Sequence, residues 1–477
     1  MLSTTVAARS GRFARIVIMF ALVALALLLV ACGSAATPSS SATSAGASST
    51  LKSGVPVPDT PAGAQARWLI GATAHLPIPE GEVRAHFDAG FLGKVSPATL
   101  NQALKGAADM SVVSITTDEP RALVVIVAIG SEHGAQAQVS LAVDGGGLIS
   151  SLLIGPVPAP TPAPPTSWEG VDAAIHSVAP DVHLLVGKIT GNSFQDLHSI
   201  APDTPAPLGS AFKLYVLDAL GEAVATGKVT WDQMLTVTSQ LKSLSSGQLQ
   251  DQPDGTRVSV KDVAAKMISI SDNTAADMMI DLVGRPAIEA ALTAAGIVDP
   301  SPDRPFLTTR EMFTLKLDQW PTLAQQYVGA DEAGRRELLA GTVDKAALPD
   351  LTAAAAWTAP RDIDSIEWFA SANDLCRAFI SLSALAGRPG LSPIAEVLSI
   401  NGGSLQLDPA QWKATWFKGG SEPGVLALAY LATTQSGQSY MVAALTEDPT
   451  KAIDEATAIP VLLSAVKGAF ILAAGKN

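Results

Sequence analysis

Histidine, cysteine, tyrosine and charge are all scarce in this chain of 477 residues. Its six histidines (His75, His86, His133, His176, His183 and His198) all precede Ser210 and are scattered, so no metal site is expected among them. A serine–histidine–acid triad would have to draw on His176, His183 or His198, and no G-x-S-x-G frames Ser210. Chemistry in the second half of the chain must therefore take its base from a lysine or a carboxylate. The two cysteines, Cys32 and Cys376, leave no cysteine-built zinc site and no expected intrachain disulfide. Tyrosine occurs only at positions 215, 327, 430 and 440. Charged residues make up 16% of the chain against 48% hydrophobic, which excludes a wholly disordered protein. Positive charge is the scarcer sign, with 31 basic residues against 44 acidic. Such a surface argues against nucleic acid and anionic lipid as partners. No cofactor is expected.

What is present begins with a targeting pattern. Arg9, Arg12 and Arg15 precede an apolar run from Ile16 to Val30 that is short for a membrane span. The run closes on Leu29-Val30-Ala31-Cys32, which resembles a bacterial lipoprotein signal. Residues 1–31 are then expected to be removed and Cys32 to carry lipid, anchoring an exported protein to the outer face of the cell membrane. That cut leaves 28 basic residues against the 44 acidic. Residues 32–61, rich in Ser, Ala, Thr, Gly and Pro, read as a flexible tether.

Residues 62–156 read as a small α+β domain. Ala64–Ala74 and Glu82–Phe91 look helical; Ser111–Thr117, Arg121–Ile129, Ala137–Val143 and Leu148–Ile154 look like strands, with Asp144-Gly145-Gly146-Gly147 as a turn. Helices followed by an antiparallel meander resemble the ketosteroid-isomerase/NTF2 fold. No tyrosine falls here, so the tyrosine-plus-acid oxyanion pair of such isomerases is missing and a docking or spacer domain is expected. Residues 157–166, Val157 to Thr166, read as a semi-rigid proline-rich linker.

Residues 167–477 read as the main domain. Trp168–Val178 looks helical and His183–Ile189 strand-like; helices are expected over Val260–Ile270 and Thr274–Val283. Lys413–Lys418, Val425–Thr433 and Ser439–Thr446 look like strands, and a helix over about Ile453–Ala473 closes the chain. Within this domain Gly209-Ser210-Ala211-Phe212-Lys213 opens a strongly apolar helix that Gly227 ends. Ser210 and Lys213, three apart, share a helix face, so a desolvated lysine amine can take the serine proton at a helix N-terminus. The same spacing recurs at Ser49/Lys52, Ser239/Lys242 and Ser464/Lys467, so spacing alone selects nothing. Ser210 differs by its Pro- and Gly-broken approach, by Ser271-Asp272-Asn273 61 residues on, and by the later Lys418-Gly419-Gly420-Ser421.

Those three elements in that order resemble the class A β-lactamase-like serine hydrolases of the penicillin-recognising family. The whole layout resembles a narrower group, the actinobacterial lipoproteins and the β-lactamase-like protein of clavulanic acid biosynthesis. The resemblance implies an α+β protein: an NTF2-like domain, then an α/β sandwich with a helical subdomain. It also implies catalytic roles. Ser210 is the nucleophile, Lys213 its base, and the Ser271 hydroxyl shuttles a proton. Asn273 holds the substrate amide. Lys418 supplies positive charge for a substrate carboxylate and for Ser271, Gly419 and Gly420 admit the ligand, and the backbone N–H groups of Ser210 and Ser421 form the oxyanion hole. Two departures stand out. Gly419 replaces the usual threonine, and no clear E-x-x-x-N supplies a deacylating glutamate; Glu311 is the one candidate. The substrate is a small molecule or a cell-wall peptide or ester. Three readings follow: a β-lactamase-type hydrolase weak on β-lactams, a D,D-peptidase or esterase, and a degenerate binding protein.

Overall fold

A computed structural model describes residues 55–130, 135–244 and 246–475. The expected signal segment, Cys32, the tether before Val55, Ser49/Lys52 and His133 lie outside the described residues. The chain divides into two compact units between Val157 and Pro158.

The first unit opens with four helices: α1 (Pro61–Ala72), α2 (Glu80–His86), α3 (Ala89–Lys94) and α4 (Pro97–Leu104). Thr60 caps α1 through its side chain, with Pro61 at the first helical position, so the helix starts earlier than hydrophobic spacing indicates. The expected helix over Glu82–Phe91 is two helices. Phe87 turns extended and bridges Ile149, and Asp88 then caps α3. An antiparallel meander follows, β1 (Met110–Glu119), β2 (Ala122–Ile129), β3 (Ala135–Val143) and β4 (Ile149–Pro156), paired in chain order. Asp144 ties the β3–β4 turn by accepting from the N–H groups of Gly146 and Leu148. Leu69, Val83, Leu104, Val127 and Val139 lie in its core.

The second unit contains α5 (Trp168–His176), β5 (Asp181–Thr190), β6 (Ser193–Ile200), β7 (Ala206–Pro207), α6 (Lys213–Ala225), β8 (Met234–Thr236), β9 (Arg257–Ser259), α7 (Val260–Ser269), α8 (Asn273–Val283), α9 (Arg285–Ala294), α10 (Thr309–Leu317), α11 (Thr322–Gly329), α12 (Glu332–Gly341) and α13 (Leu351–Ala356). It continues with β10 (Phe369–Ala370), α14 (Ala372–Ala386), α15 (Pro393–Ser399), β11 (Trp412–Glu422), β12 (Val425–Thr434), β13 (Ser439–Glu447) and α16 (Glu455–Ala474). Five strands form an antiparallel sheet in the order β11-β12-β13-β5-β6.

Both faces of this sheet are covered, which is why β12 and β13 are near-continuous apolar runs. Leu428, Tyr430, Val442 and Ala444 face α5 and α16. Ala427, Ala429, Ala443 and Leu445 share a second core with α6, α8 and α14. Helix α6 is buried from Lys213 through Gly221, on every side of its first two turns, as its lack of a polar face requires.

The proline-rich segment is not a free linker. The Ala159 N–H donates to the Ala456 carbonyl at 2.9 Å, and Ser464 Oγ donates to the Ala163 carbonyl at 3.0 Å. Gly468 is needed for that contact, because a Cβ there would stand 2.7 Å from the Pro165 carbonyl oxygen. Prolines lack the N–H groups for a ladder, so the segment docks through the few polar groups it retains. From Pro158 onward it belongs to the second unit.

Candidate active site

The approach to Ser210 is a short strand and a tight turn. β7 pairs with β10, and a single 3₁₀ turn over Gly209–Phe212 then runs directly into α6. Ser210 thus lies one turn before the α-helix proper, with Lys213 as the first α-helical residue. Gly209 sits in the left-handed region (φ 47°), where glycine carries no steric cost. Against this turn lies the end of β11. A Cβ on Gly420 would stand 2.0 Å from the Leu208 carbonyl oxygen and 2.5 Å from Ser210 N. A Cβ on Gly209 would stand 2.7 Å from Ser421 N. Two glycines therefore let the backbones of 208–211 and 420–421 touch, which brings the Ser210 and Ser421 N–H groups to one neighbourhood.

Lys213 is fully buried behind Ser210. Its Nζ lies 2.6 Å from the Ser271 carbonyl oxygen and 2.6 Å from Asn273 Oδ1. It also lies 3.1 Å from Ser210 Oγ and 3.1 Å from Ser271 Oγ. A neutral amine has two N–H bonds and one lone pair. The two shortest contacts are to groups that only accept, so they take both N–H bonds. The lone pair is then left to the two hydroxyls, each of which can donate. Burial pushes the Lys213 pKa down to about 7, with Asp272 and Asp277 pulling it back up. The arrangement makes Lys213 a base for Ser210 near neutrality. The rate of Ser210 acylation, followed by pre-steady-state labelling, should therefore climb about tenfold per pH unit and level off near pH 7. A rate independent of pH from 5 to 9 would remove Lys213 from that role.

Ser271 connects the two lysines. Its backbone is left-handed (φ 56°), and its Oγ lies 3.0 Å from Lys418 Nζ. Asp272 caps α8 through Ala275 N–H and accepts from the Gln248 and Leu249 N–H groups. Three backbone donors on one buried carboxylate fix the 271–273 turn. Asn273 uses Oδ1 for Lys213 and Nδ2 for the Leu244 carbonyl, which leaves one N–H for a ligand. Ser246 was not anticipated: its Oγ donates to the Ser271 carbonyl at 2.6 Å, and it lines the cleft. It belongs to an irregular loop in which single serines form no pattern.

Lys418 departs from expectation. It is buried, and its Nζ is bonded to Ser271 Oγ and, at 2.5 Å, to the Gly419 carbonyl. Burial and the neighbouring Lys213 push its pKa well down. Lys418 Nζ is thus engaged with Ser271, as expected, and is held by the Gly419 carbonyl where a substrate carboxylate contact was expected. Lys418-Gly419-Gly420 lies inside β11, and the turn is formed by Pro423-Gly424. The glycine at 419 has a local cause: a Cβ there would meet the Phe417 ring at 2.8 Å.

Glu311 is displaced from its expected role. It is the third residue of α10, where it completes a capping box with Thr308. Its Oε2 accepts from Thr308 N–H and its Oε1 pairs with Arg285, each at 2.6 Å. Thr309, Met312 and Phe313 of the same helix line the cleft, and Glu311 does not. Among the described residues three other carboxyls line it: Glu367, Glu422 and Glu455. Glu455 opens α16, and burial raises its pKa to about 7 against the lowering effect of the Ser421 hydroxyl. A first-turn acid on the last helix is the one signal that marked it. The cleft as a whole encloses roughly 910 Å³, part of it open to solvent, and also holds Ser210, Ser271, Asn273 and Ser421.

Among the described residues no group of three or more His, Cys, Asp or Glu side chains is placed to hold a metal ion. Residues 175–379 match the model of a beta-lactamase enzyme family, and residues 57–149 match that of the ORF 12 gene product N-terminal region. No curated protein matches the chain. Similar solved structures include a β-lactamase from Sphaerobacter thermophilus, at 19% identity and a TM-score of 0.46, covering 65% of this chain and 98% of that one. PBP-A follows at 17% identity and 0.42, covering 65% and 99%. A β-lactamase from Chitinophaga pinensis follows at 16% and 0.43, covering 64% and 98%. The match to a beta-lactamase family domain thus lies within the second unit, over residues 175–379.

Proposed function

We propose, from that family domain and the cleft within it, that the protein is an exported, lipid-anchored serine hydrolase of the β-lactamase type that forms an acyl-enzyme at Ser210. One observation carries the reading: the Nζ of a buried lysine, its pKa lowered to about 7, lies 3.1 Å from Ser210 Oγ at the head of its own helix. In this mechanism Ser210 Oγ attacks the substrate carbonyl and its proton passes to Lys213 Nζ. The oxyanion is received by the N–H groups of Ser210 and Ser421. Ser271, between Lys213 and Lys418, returns a proton to the leaving group. Cys32 carries the lipid, and residues 62–156 form an NTF2-like spacer. No metal takes part, so hydrolysis withstands a strong chelator.

The substrate is a small molecule, or a peptide or ester of the cell wall. Weak β-lactam turnover is part of the proposal. Glu311 is held in its capping box and faces away from the cleft, so the acyl-enzyme lacks the base first expected for it. A general base contributes on the order of 10²–10⁴-fold. Stopped-flow measurement with a chromogenic cephalosporin should give a burst of about one equivalent and then turnover slower by a comparable factor. Rapid turnover without a burst would mean that an efficient base acts in the cleft. Of the D,D-peptidase and esterase alternatives, the esterase is favoured by Lys418, whose Nζ is already bonded to Ser271 Oγ and the Gly419 carbonyl and so is less available to a substrate carboxylate. Faster acylation by neutral esters than by penicillins would select it.

A further inference from the structure

Behind the oxyanion end of the cleft lies a buried group of three ionisable side chains for which the proposed mechanism has no use. Lys316, from α10, is fully buried, and its Nζ lies 2.6 Å from Glu422 Oε1 and 4.0 Å from Glu367 Oε1. Glu367 precedes β10, and its Oε2 accepts from the N–H groups of Gly209, at 3.1 Å, and Trp368, at 2.9 Å. Glu422 is the last residue of β11 and directly follows Ser421. The two carboxyl groups thus share one ammonium. Glu367 Oε1 and Glu422 Oε2 have no hydrogen-bond partner.

Two carboxylates beside a single ammonium would leave a net negative charge fully buried, so one of the pair carries a proton. One carboxylic acid, one carboxylate and one ammonium then sum to zero charge in a place where a net charge would be costly. Burial raises the pKa of both acids, and that of Glu422 rises well above the usual range.

We propose that Glu367 and Glu422, sharing one proton beside Lys316, form a neutral buried clamp that positions the two N–H donors of the oxyanion hole. Glu367 holds the peptide N–H immediately before Ser210. Glu422 holds the strand end immediately after Ser421. Lys316 ties the two acids to α10. Both acids are positioning residues, and neither is a deacylating base. The clamp rests on the oxyanion hole assigned above.

The shared proton gives an unusual substitution pattern. A glutamine at either position still accepts and donates as the protonated member does, and it leaves the other acid as the partner of Lys316. Each single variant, E367Q or E422Q, should therefore fold with a melting temperature close to that of the parent. The double variant E367Q/E422Q leaves the Lys316 ammonium buried with no anion, and its melting temperature should fall by about 10 °C. E367A removes the acceptor for Gly209 N–H and should slow Ser210 acylation by about 10²-fold, with little change in the concentration of penicillin that half-saturates the rate. E367Q should restore that rate to within about fivefold of the parent.

A double variant as stable as the singles would overturn the shared proton. E367Q as slow as E367A would overturn positioning in favour of proton transfer by Glu367. An E367A that folds and acylates at the parental rate would overturn the contact with Gly209. If E367A does not fold, E367Q, E422Q and their combination still decide the matter. If the parent is never acylated by penicillins or esters, the proposed hydrolase fails, while the melting series still tests the clamp.

Discussion

Ser210→Ala is expected to reduce labelling by a fluorescent penicillin to background, a loss of at least about 10³-fold. Two hydroxyls touch Lys213 Nζ, those of Ser210 and Ser271. Only Ser210 also lies in the turn whose N–H groups face Gly420 and Ser421, so only an ester formed on Ser210 places its oxyanion among donors. Ser271 is instead held between two lysines, where it can pass a proton. Removing it should slow labelling without abolishing it. Ser239 and Ser464 have the same spacing to a lysine and serve as controls. Ser239 is exposed, with Lys242 paired to Asp254, and Ser464 donates to the Ala163 carbonyl on the far side of the sheet. Alanine at either should leave labelling intact. Persistent labelling of Ser210→Ala at the parental rate would move the nucleophile elsewhere.

Gly420→Ala is expected to be nearly as damaging although it removes no functional group. The added methyl would stand 2.0 Å from the Leu208 carbonyl oxygen and 2.5 Å from Ser210 N. Both are backbone atoms, so relief requires β11 and the nucleophile turn to part. Separating two oxyanion donors should cost about 10²–10³-fold in acylation rate. Gly419→Ala is the contrast. Its nearest neighbours would be the tip of the Phe417 ring at 2.8 Å and the Ala427 carbonyl oxygen at 3.2 Å, a smaller conflict that does not touch the Ser210 turn. Rapid-quench measurement on both variants separates the effects. Equal rates in the two would show that the close approach at Gly420 has no part in catalysis.

Much of this site was legible in the sequence, and for a specific reason. Ser210 and Lys213, Ser271 to Asn273, and Lys418 to Ser421 are compact local patterns, each read within a few residues. The strands β12 and β13 were legible because a sheet covered on both faces leaves unbroken apolar runs. Strand β6 was missed because it is the polar edge of the sheet, with Gln195, Asp196 and His198 in its middle. Helices α9 to α13 were not assigned because the chain there is broken into short segments by Pro300, Pro302, Pro305 and Pro321.

The misread residues share a feature. Glu311 was picked by its place along the chain, whereas the capping box with Thr308 decides where its carboxylate goes. Lys418 was read as open to a substrate, whereas its Nζ is buried and bonded to Ser271 Oγ and the Gly419 carbonyl. Glu367, Glu422 and Glu455 are isolated acids in sequence and meet the cleft only through the fold. The proline-rich segment announced its stiffness by composition, but composition does not name the helix on which it lies.

Helix α6, buried on all sides through its first two turns, has a wider consequence. In the proposed mechanism Ser210 and Lys213 react inside a medium that the surrounding side chains provide, and Leu214, Leu217, Met267 and Ala275 are as much that medium as water is for a reaction in solution. The basicity of Lys213 is a property of its polarity. Any loosening that lets water reach the amine would raise its pKa and leave it protonated at neutral pH, with every reacting atom still in place. Loss of activity at pH 7 that returns on the alkaline side is the mark of such a change. The catalytic apparatus thus extends, as a solvent does, well beyond the groups that exchange bonds and protons.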